Sequence, residues 1–335
     1  MRAATASPGD GRGHDPRASR GIAALVLAML AALAAASCGT SNGSENGART
    51  GRVSAPGPEF DAEAAFELLR RQVAFGPRVP GSAPHRAQLE WMVEYLRERA
   101  DTVWVQAFTH RRPDGDTVPM ANVVAGFRPD ADARILLLAH WDTRPTADQD
   151  PDPARRDQPI DGANDGASGT AVLLQLADVL SRHSPPIGVD LLFTDGEDFG
   201  AHDEMYLGAS YFAANQPPGY PPLYGILIDM VGDRDPLFPI ESSSVYYAPE
   251  VVDRVWTLAE DIGYGRYFPR REAGSVGDDH IPLNEAGIRT IDIIDFEYGP
   301  NHRYWHTHQD VIENTSPTGL KAVGQVLTAL VFRGG

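Results

Sequence analysis

Six short stretches of the chain bring together residue types able to bind a metal or move a proton. They are His140-Trp141-Asp142, the loop Asp161 to Gly169 with Asn164-Asp165-Gly166 at its centre, Asp195-Gly196-Glu197-Asp198, Asp229, Gly277-Asp278-Asp279-His280, and Tyr304-Trp305-His306-Thr307. Imidazoles and carboxylates are nitrogen and oxygen ligands, and three of them around one ion with an open position make a catalytic zinc site. The chain has a single cysteine, Cys38, so neither a thiolate zinc site nor an intrachain disulfide is possible. A carboxylate beside a ligand, as Glu197 is beside Asp198, can act as general acid or base. Each stretch alone has a plainer reading. A histidine after a strand more often packs, an aspartate before a helix caps it, and Asp195 reads as a turn residue. It is their succession along the chain that favours a shared site.

Those stretches need elements to position them. Apolar runs typical of buried strands cover Ile135 to Ala139, Val189 to Phe193, Ile226 to Ile228 and Thr290 to Ile294. Val103 to Phe108 and Ala121 to Phe127 also read as strands. Helical spacing is predicted for Gly169 to Leu180, Ala209 to Ala214, Val251 to Ile262 and Thr318 to Phe332. Upstream, Asp61 caps a helix through Phe66, Leu69 and Val73 that stops at Gly76-Pro77, and a second amphipathic helix covers Arg86 to Arg99. The alternation implies an α/β fold: a mixed, largely parallel central sheet flanked by helices. The candidate residues follow the strands, where ligands gather in such sheets.

With these motifs in place, the sequence resembles the zinc aminopeptidase family that also contains the glutaminyl-peptide cyclotransferases, from about Phe60 to the C-terminus. The resemblance implies that Asp165, Asp198 and His306 bind zinc and that Glu197 is the catalytic acid/base. Asp198 stands where the family more often has glutamate. His140 and Asp229 match the ligands of a second zinc in the aminopeptidases, where Asp165 would bridge the two ions. In the cyclases the same residues resemble a vacant second site. Asp278-Asp279-His280-Ile281-Pro282 is similar to the cyclase pattern and puts Asp278, together with Asp229, in a catalytic position. Trp305 before His306 is also cyclase-like and implies a wall for the glutamine side chain. Animal cyclases carry a histidine in the preceding strand. Asp292 stands there in this chain, with a longer loop after it, as in the bacterial branch. The implied function is conversion of N-terminal glutamine to pyroglutamate with release of ammonia, using one zinc. The alternative is a metallo-aminopeptidase using two. A binding domain without activity is disfavoured, because such relatives lose ligands and this chain keeps them.

The flanks and the charge bound the rest. Arg12, Arg17 and Arg20 precede an apolar run from Ile22 to Ala36, which is short against the ~20 residues of a bilayer span. It ends in Ala35-Ala36-Ser37-Cys38, which resembles a bacterial lipoprotein signal. The expected organisation is a signal over 1–37, a flexible tether over 38–59 and one catalytic domain over 60–335. The enzyme would be exported and held at the cell envelope through a lipid on Cys38, its only tie to the membrane. A formal net charge of −17 argues against nucleic acid, which needs clustered Lys and Arg. The expected partners are peptide or protein N-termini.

Overall fold

The computed structural model describes residues 57–335 apart from 218 and 221. The expected export signal, Cys38 and all but the last three residues of the expected tether lie outside the described residues. The chain is already packed at its first described positions. Phe60 is fully buried, its N–H donates to Gln325 Oε1 at 3.0 Å, and Gln325 Nε2 donates to Pro58 O at 3.3 Å.

Elements follow in the order α1 (Ala62–Val73), α2 (Ala83–Arg97), β1 (Thr102–Arg111), β2 (Thr117–Phe127), β3 (Arg134–His140), α3 (Ala167–Arg182), β4 (Gly188–Thr194), α4 (Leu207–Ala214), β5 (Gly225–Asp229), α5 (Ser242–Tyr247), α6 (Pro249–Asp261), α7 (His280–Glu285), β6 (Thr290–Ile294) and α8 (Pro317–Phe332). Asp61 caps α1 by accepting from Ala64 N, as its sequence position predicts. The β6 bounds agree with the apolar run, whereas most other elements extend one to four residues beyond it. The short helices α5 and α7 are not legible in the sequence, because six residues carry too little periodicity. His280 opens α7.

The six strands form one sheet in the order β1-β2-β4-β3-β5-β6. β4, β3, β5 and β6 are parallel neighbours, and β2 and β1 join antiparallel at one edge. The central strands are covered on both faces, which is why they read as unbroken apolar runs. Alternate residues serve separate cores. Ile135, Leu137 and Ala139 face the larger one with residues of α1, α3, α6 and α8. Leu136 and Leu138 face the smaller one with Phe212 of α4 and Leu283 of α7. From β3 the chain first moves outward to β4, then returns across β3 to β5 and β6. The ends of β4, β3 and β5 lie at this reversal, the place where an open α/β sheet leaves a crevice.

Candidate metal centre and active site

His140 is the last residue of β3, Asp229 the last of β5, and Glu197 and Asp198 follow β4 by three and four residues. Register brings them level: His140 pairs with Thr194 of β4, and Leu138 with Leu227 of β5. Asp165 reaches the same point from the loop before α3. Two glycines allow this approach. Gly166 has φ 91°, and an added Cβ would lie 2.6 Å from Asp142 O. At Gly169 an added Cβ would lie 2.2 Å from Ile228 O, so α3 can rest on the end of β5 only without a side chain there. His306 arrives from the long loop after β6.

The result is two buried triads that share one carboxylate. In the first, His306 Nε2 lies 3.6 Å from Asp165 Oδ2 and 3.4 Å from Asp198 Oδ1. In the second, His140 Nε2 lies 3.1 Å from Asp165 Oδ1 and 3.2 Å from Asp229 Oδ1. Asp165 thus turns one oxygen to each triad. Two ligand atoms about 2.0–2.2 Å from a tetrahedral ion stand about 3.3–3.6 Å apart. The His306 distances in the first triad fit that spacing without movement, and the His140 distances in the second are slightly shorter. Asp198 Oδ2 is buried with no hydrogen-bond partner among the described residues. Such an atom is costly unless a cation completes it. The donor set suits zinc, and the residues present fit it.

Electrostatics give the same answer. Burial and the charge of Asp278 push the Glu197 carboxyl well above its ordinary range. Burial, then Asp229 and Asp279, do the same to Asp278. Burial raises Asp198 to about 7 despite His306, with Asp165 adding to the rise. Burial pulls His140 down, but Asp229 and its hydrogen-bonded neighbours Asp142 and Asp165 outweigh it and hold the imidazole well above its ordinary value. A pocket with this surplus of carboxylates is built around positive charge.

The site depends on a surrounding shell that the sequence analysis left without roles. Asp142 Oδ1 accepts from Glu197 N at 3.1 Å, and Oδ2 from Asp198 N at 3.4 Å. The same carboxylate lies 3.5 Å from His140 Nδ1. Arg144 donates to Asp198 Oδ1 at 2.5 Å and to Asp148 Oδ1 at 2.6 Å, and Asp148 Oδ1 is 3.3 Å from His306 Nδ1. Asp310 accepts from the backbone of Asn164 and Asp165 and from the Tyr298 hydroxyl. Carboxylates behind metal-binding histidines fix the ring and raise its basicity. Asp142 lies inside a recognised motif and could have been assigned from it. Arg144 and Asp148 belong to a polar stretch whose pairing no local pattern reveals. Asp195, read as a turn residue, is buried, 2.9 Å from His85 Nε2, and accepts from Ala121 N at 2.6 Å. It ties the Glu197 loop to α2 and β2.

The remaining candidates are also placed. Asp278 lies just before α7, and its Oδ1 accepts from Asp279 N at 2.6 Å. Trp305 stacks on the ring of His306 with centroids 3.7 Å apart, and Phe296 meets it at 5.2 Å. It therefore acts on the site first through the histidine. Asp292 is fully buried in β6 with both oxygens lacking hydrogen bonds among the described residues, and burial and Asp278 push it well above the ordinary range. Backbone strain marks the same region. Met230 after Asp229, His306 itself and Tyr206 have φ of 49°, 54° and 56°, a conformation L side chains rarely adopt.

The family model for peptidase family M28 matches residues 122–331. Among solved structures, the chain is 38% identical to the glutaminyl cyclase of Tannerella forsythia, with a TM-score of 0.79, covering 83% of this chain and 100% of that one. It is 38% identical to a Zn-dependent exopeptidase from Parabacteroides distasonis, also with a TM-score of 0.79, covering 82% and 99%. The glutaminyl-peptide cyclotransferase of Bos taurus is 26% identical over 290 residues, 76% of this chain and 77% of the relative. With the zinc-exopeptidase fold, two triads at the strand ends and this match over most of its length, the chain belongs to peptidase family M28.

Proposed function

We propose that this protein is a zinc-dependent glutaminyl-peptide cyclotransferase. The observation that carries the reading is the triad Asp165, Asp198 and His306, spaced for one ion, with Glu197 adjoining and Asp278 bearing on it. Similarity to bacterial glutaminyl cyclases over four-fifths of the chain supports it. Zinc held by the triad would supply Lewis acidity toward a carboxamide oxygen.

The chain's own residues do the rest. The substrate's α-amine nitrogen bonds to the γ-carboxamide carbon, so the attack is intramolecular and gains from orientation. Glu197 takes one proton from that amine and gives it to the departing nitrogen, which leaves as ammonia. Its raised affinity for a proton suits both halves of the transfer. Asp278, itself pushed up by Asp229, holds Glu197 in the protonation balance this requires, and Trp305 bounds the space beside His306. No water enters the balance.

The second triad supports another reading. His140, Asp165 and Asp229 also converge, and with two ions the same centre would suit an aminopeptidase; similarity to a Zn-dependent exopeptidase fits this reading. Similarity to glutaminyl cyclases, among solved structures and sequence relatives alike, supports the cyclase as the first reading. Mass spectrometry of Gln-initiated and Leu-initiated peptides tests the choice. Loss of one ammonia from the first, with the second left intact, is expected; release of free amino acid would establish the aminopeptidase.

We also infer that the enzyme is exported and lipid-anchored through Cys38, on the strength of the apolar run from Ile22 to Ala36 before it. Several acyl chains on one cysteine would give stable attachment where one would not. Cys38→Ser should release the protein or leave the precursor uncut. Unmodified full-length chain in the cytoplasm would refute this.

A further inference from the structure

Beside the metal centre lies a smaller cavity of about 220 Å³. Leu237, Pro239, Ala273, Val276, Ile294 and Phe296 give it a mainly apolar lining. Hydrogen bonds brace its walls. Asp295 Oδ2 accepts from Leu237 N at 2.9 Å, Glu241 Oε1 accepts from Val276 N at 3.1 Å, and Ala273 N donates to Ile240 O at 2.8 Å. A cavity held open in this way cannot close over its apolar surface, so filling it removes that surface from water.

Its size and position limit the occupant. Pockets for whole small molecules run to about 300–1,000 Å³. At roughly 30 Å³ per water this one holds about seven waters, the room of one large side chain. Arg271 and the carboxyl groups of Glu241, Asp295 and Glu297 also line it, so an acidic side chain is disfavoured there. An apolar cluster links it to the metal centre. Val276 stands two residues before Asp278, and Val276 and Ile294 pack in one cluster with Met230, which follows Asp229, and Trp305, which precedes His306. Phe296 meets the Trp305 ring directly.

We propose that this cavity is a specificity subsite that takes an apolar side chain from a residue following the N-terminal glutamine of the substrate peptide. This rests on the cyclase reading of the metal centre. The peptide leaves the metal centre along the Trp305–Phe296 wall and places one side chain among Leu237, Val276 and Ile294.

The test uses the zinc-loaded full chain and two peptide series, Gln-X-Ala-Ala and Gln-Ala-X-Ala amides with X as Gly, Leu, Phe or Glu. In one series, kcat/KM for Leu or Phe should exceed that for Gly by about 10-fold, the scale of added methylenes in an apolar pocket. Two variants should erase the preference. An added Cβ at Gly274, which lines the cavity outside the left-handed region, meets no atom within 4 Å, so Gly274→Phe can occupy the space. Leu237→Asn makes the lining polar while keeping the backbone N–H that Asp295 accepts. Either should bring the Leu-to-Gly ratio to within about 2-fold. Flat rates across X in both series, or a ratio that survives both variants, would overturn the subsite. Following ammonia and free glutamine separately keeps the two readings apart. Release of glutamine would end the cyclase reading, and its dependence on X would still decide the subsite.

Discussion

Asp165 is the most informative residue to remove, because its two oxygens face different triads at 3.1 and 3.6 Å. Asp165→Ala takes one of three ligands from each. Losing only a group behind a ligand typically weakens metal binding by about 10–100-fold, so losing a ligand should cost more than about 100-fold. The companions separate one ion from two. If one zinc sits with Asp165, Asp198 and His306, the wild type and His140→Ala should each hold one ion, and His306→Ala and Asp165→Ala none. If two sit there, both histidine variants should keep one and Asp165→Ala should still lose both. Zinc content by mass spectrometry after gel filtration, with titration against a chromophoric chelator, reads the pattern. Stability gives a second readout. At free zinc 100-fold above its Kd, binding adds about 2.7 kcal/mol, roughly 4–5 °C in melting temperature for a domain of about 280 residues. A chelator should lower the wild-type melting temperature by that order and leave Asp165→Ala unmoved. Wild-type zinc content in Asp165→Ala would refute the shared-carboxylate geometry.

Three further outcomes are expected from the same structure. Asp278→Asn should lower kcat/KM by about 10²–10⁴-fold, the range of acid–base roles, with zinc content unchanged; a small effect would reduce Asp278 to a turn residue. Trp305→Ala removes the ring stacked on His306 and should weaken zinc binding as well as raise KM, whereas a KM change alone would make it purely a substrate wall. Burial pushes Asp295 up to about 7. Its folded value lies above its unfolded one, so the contribution to stability is fully present below about pH 4 and is lost as pH rises toward 7. Asp295→Asn should flatten that slope by up to about 4 kcal/mol, seen as a gain over the wild type in urea unfolding at pH 8 that is smaller at pH 5; parallel curves would contradict it.

The sequence by itself determined the strands and the polar residues at their ends. Ile135 to Ala139 and Val189 to Phe193 read as buried strands because both faces of the central sheet are covered, and apolar runs record that burial. His140, Glu197, Asp198 and Asp229 were legible because ligands of an open α/β sheet sit at strand ends, whereas Asp165 and His306, in loops away from the strand ends, took their roles from the family motifs around them. Tertiary structure decided which of them meet in one triad. Strand order places β5 next to β3 although β4 comes between them in the chain, and only that adjacency sets Asp229 against His140. The loop that brings His306 to Asp198 lies more than a hundred residues away in sequence and takes a left-handed backbone that no side-chain pattern announces. Arg144, Asp148, Asp142 and Asp310 gained their roles in the same way. A charged residue in a loop looks alike whether it faces solvent or a buried ligand, and its partner is chosen by packing across the fold.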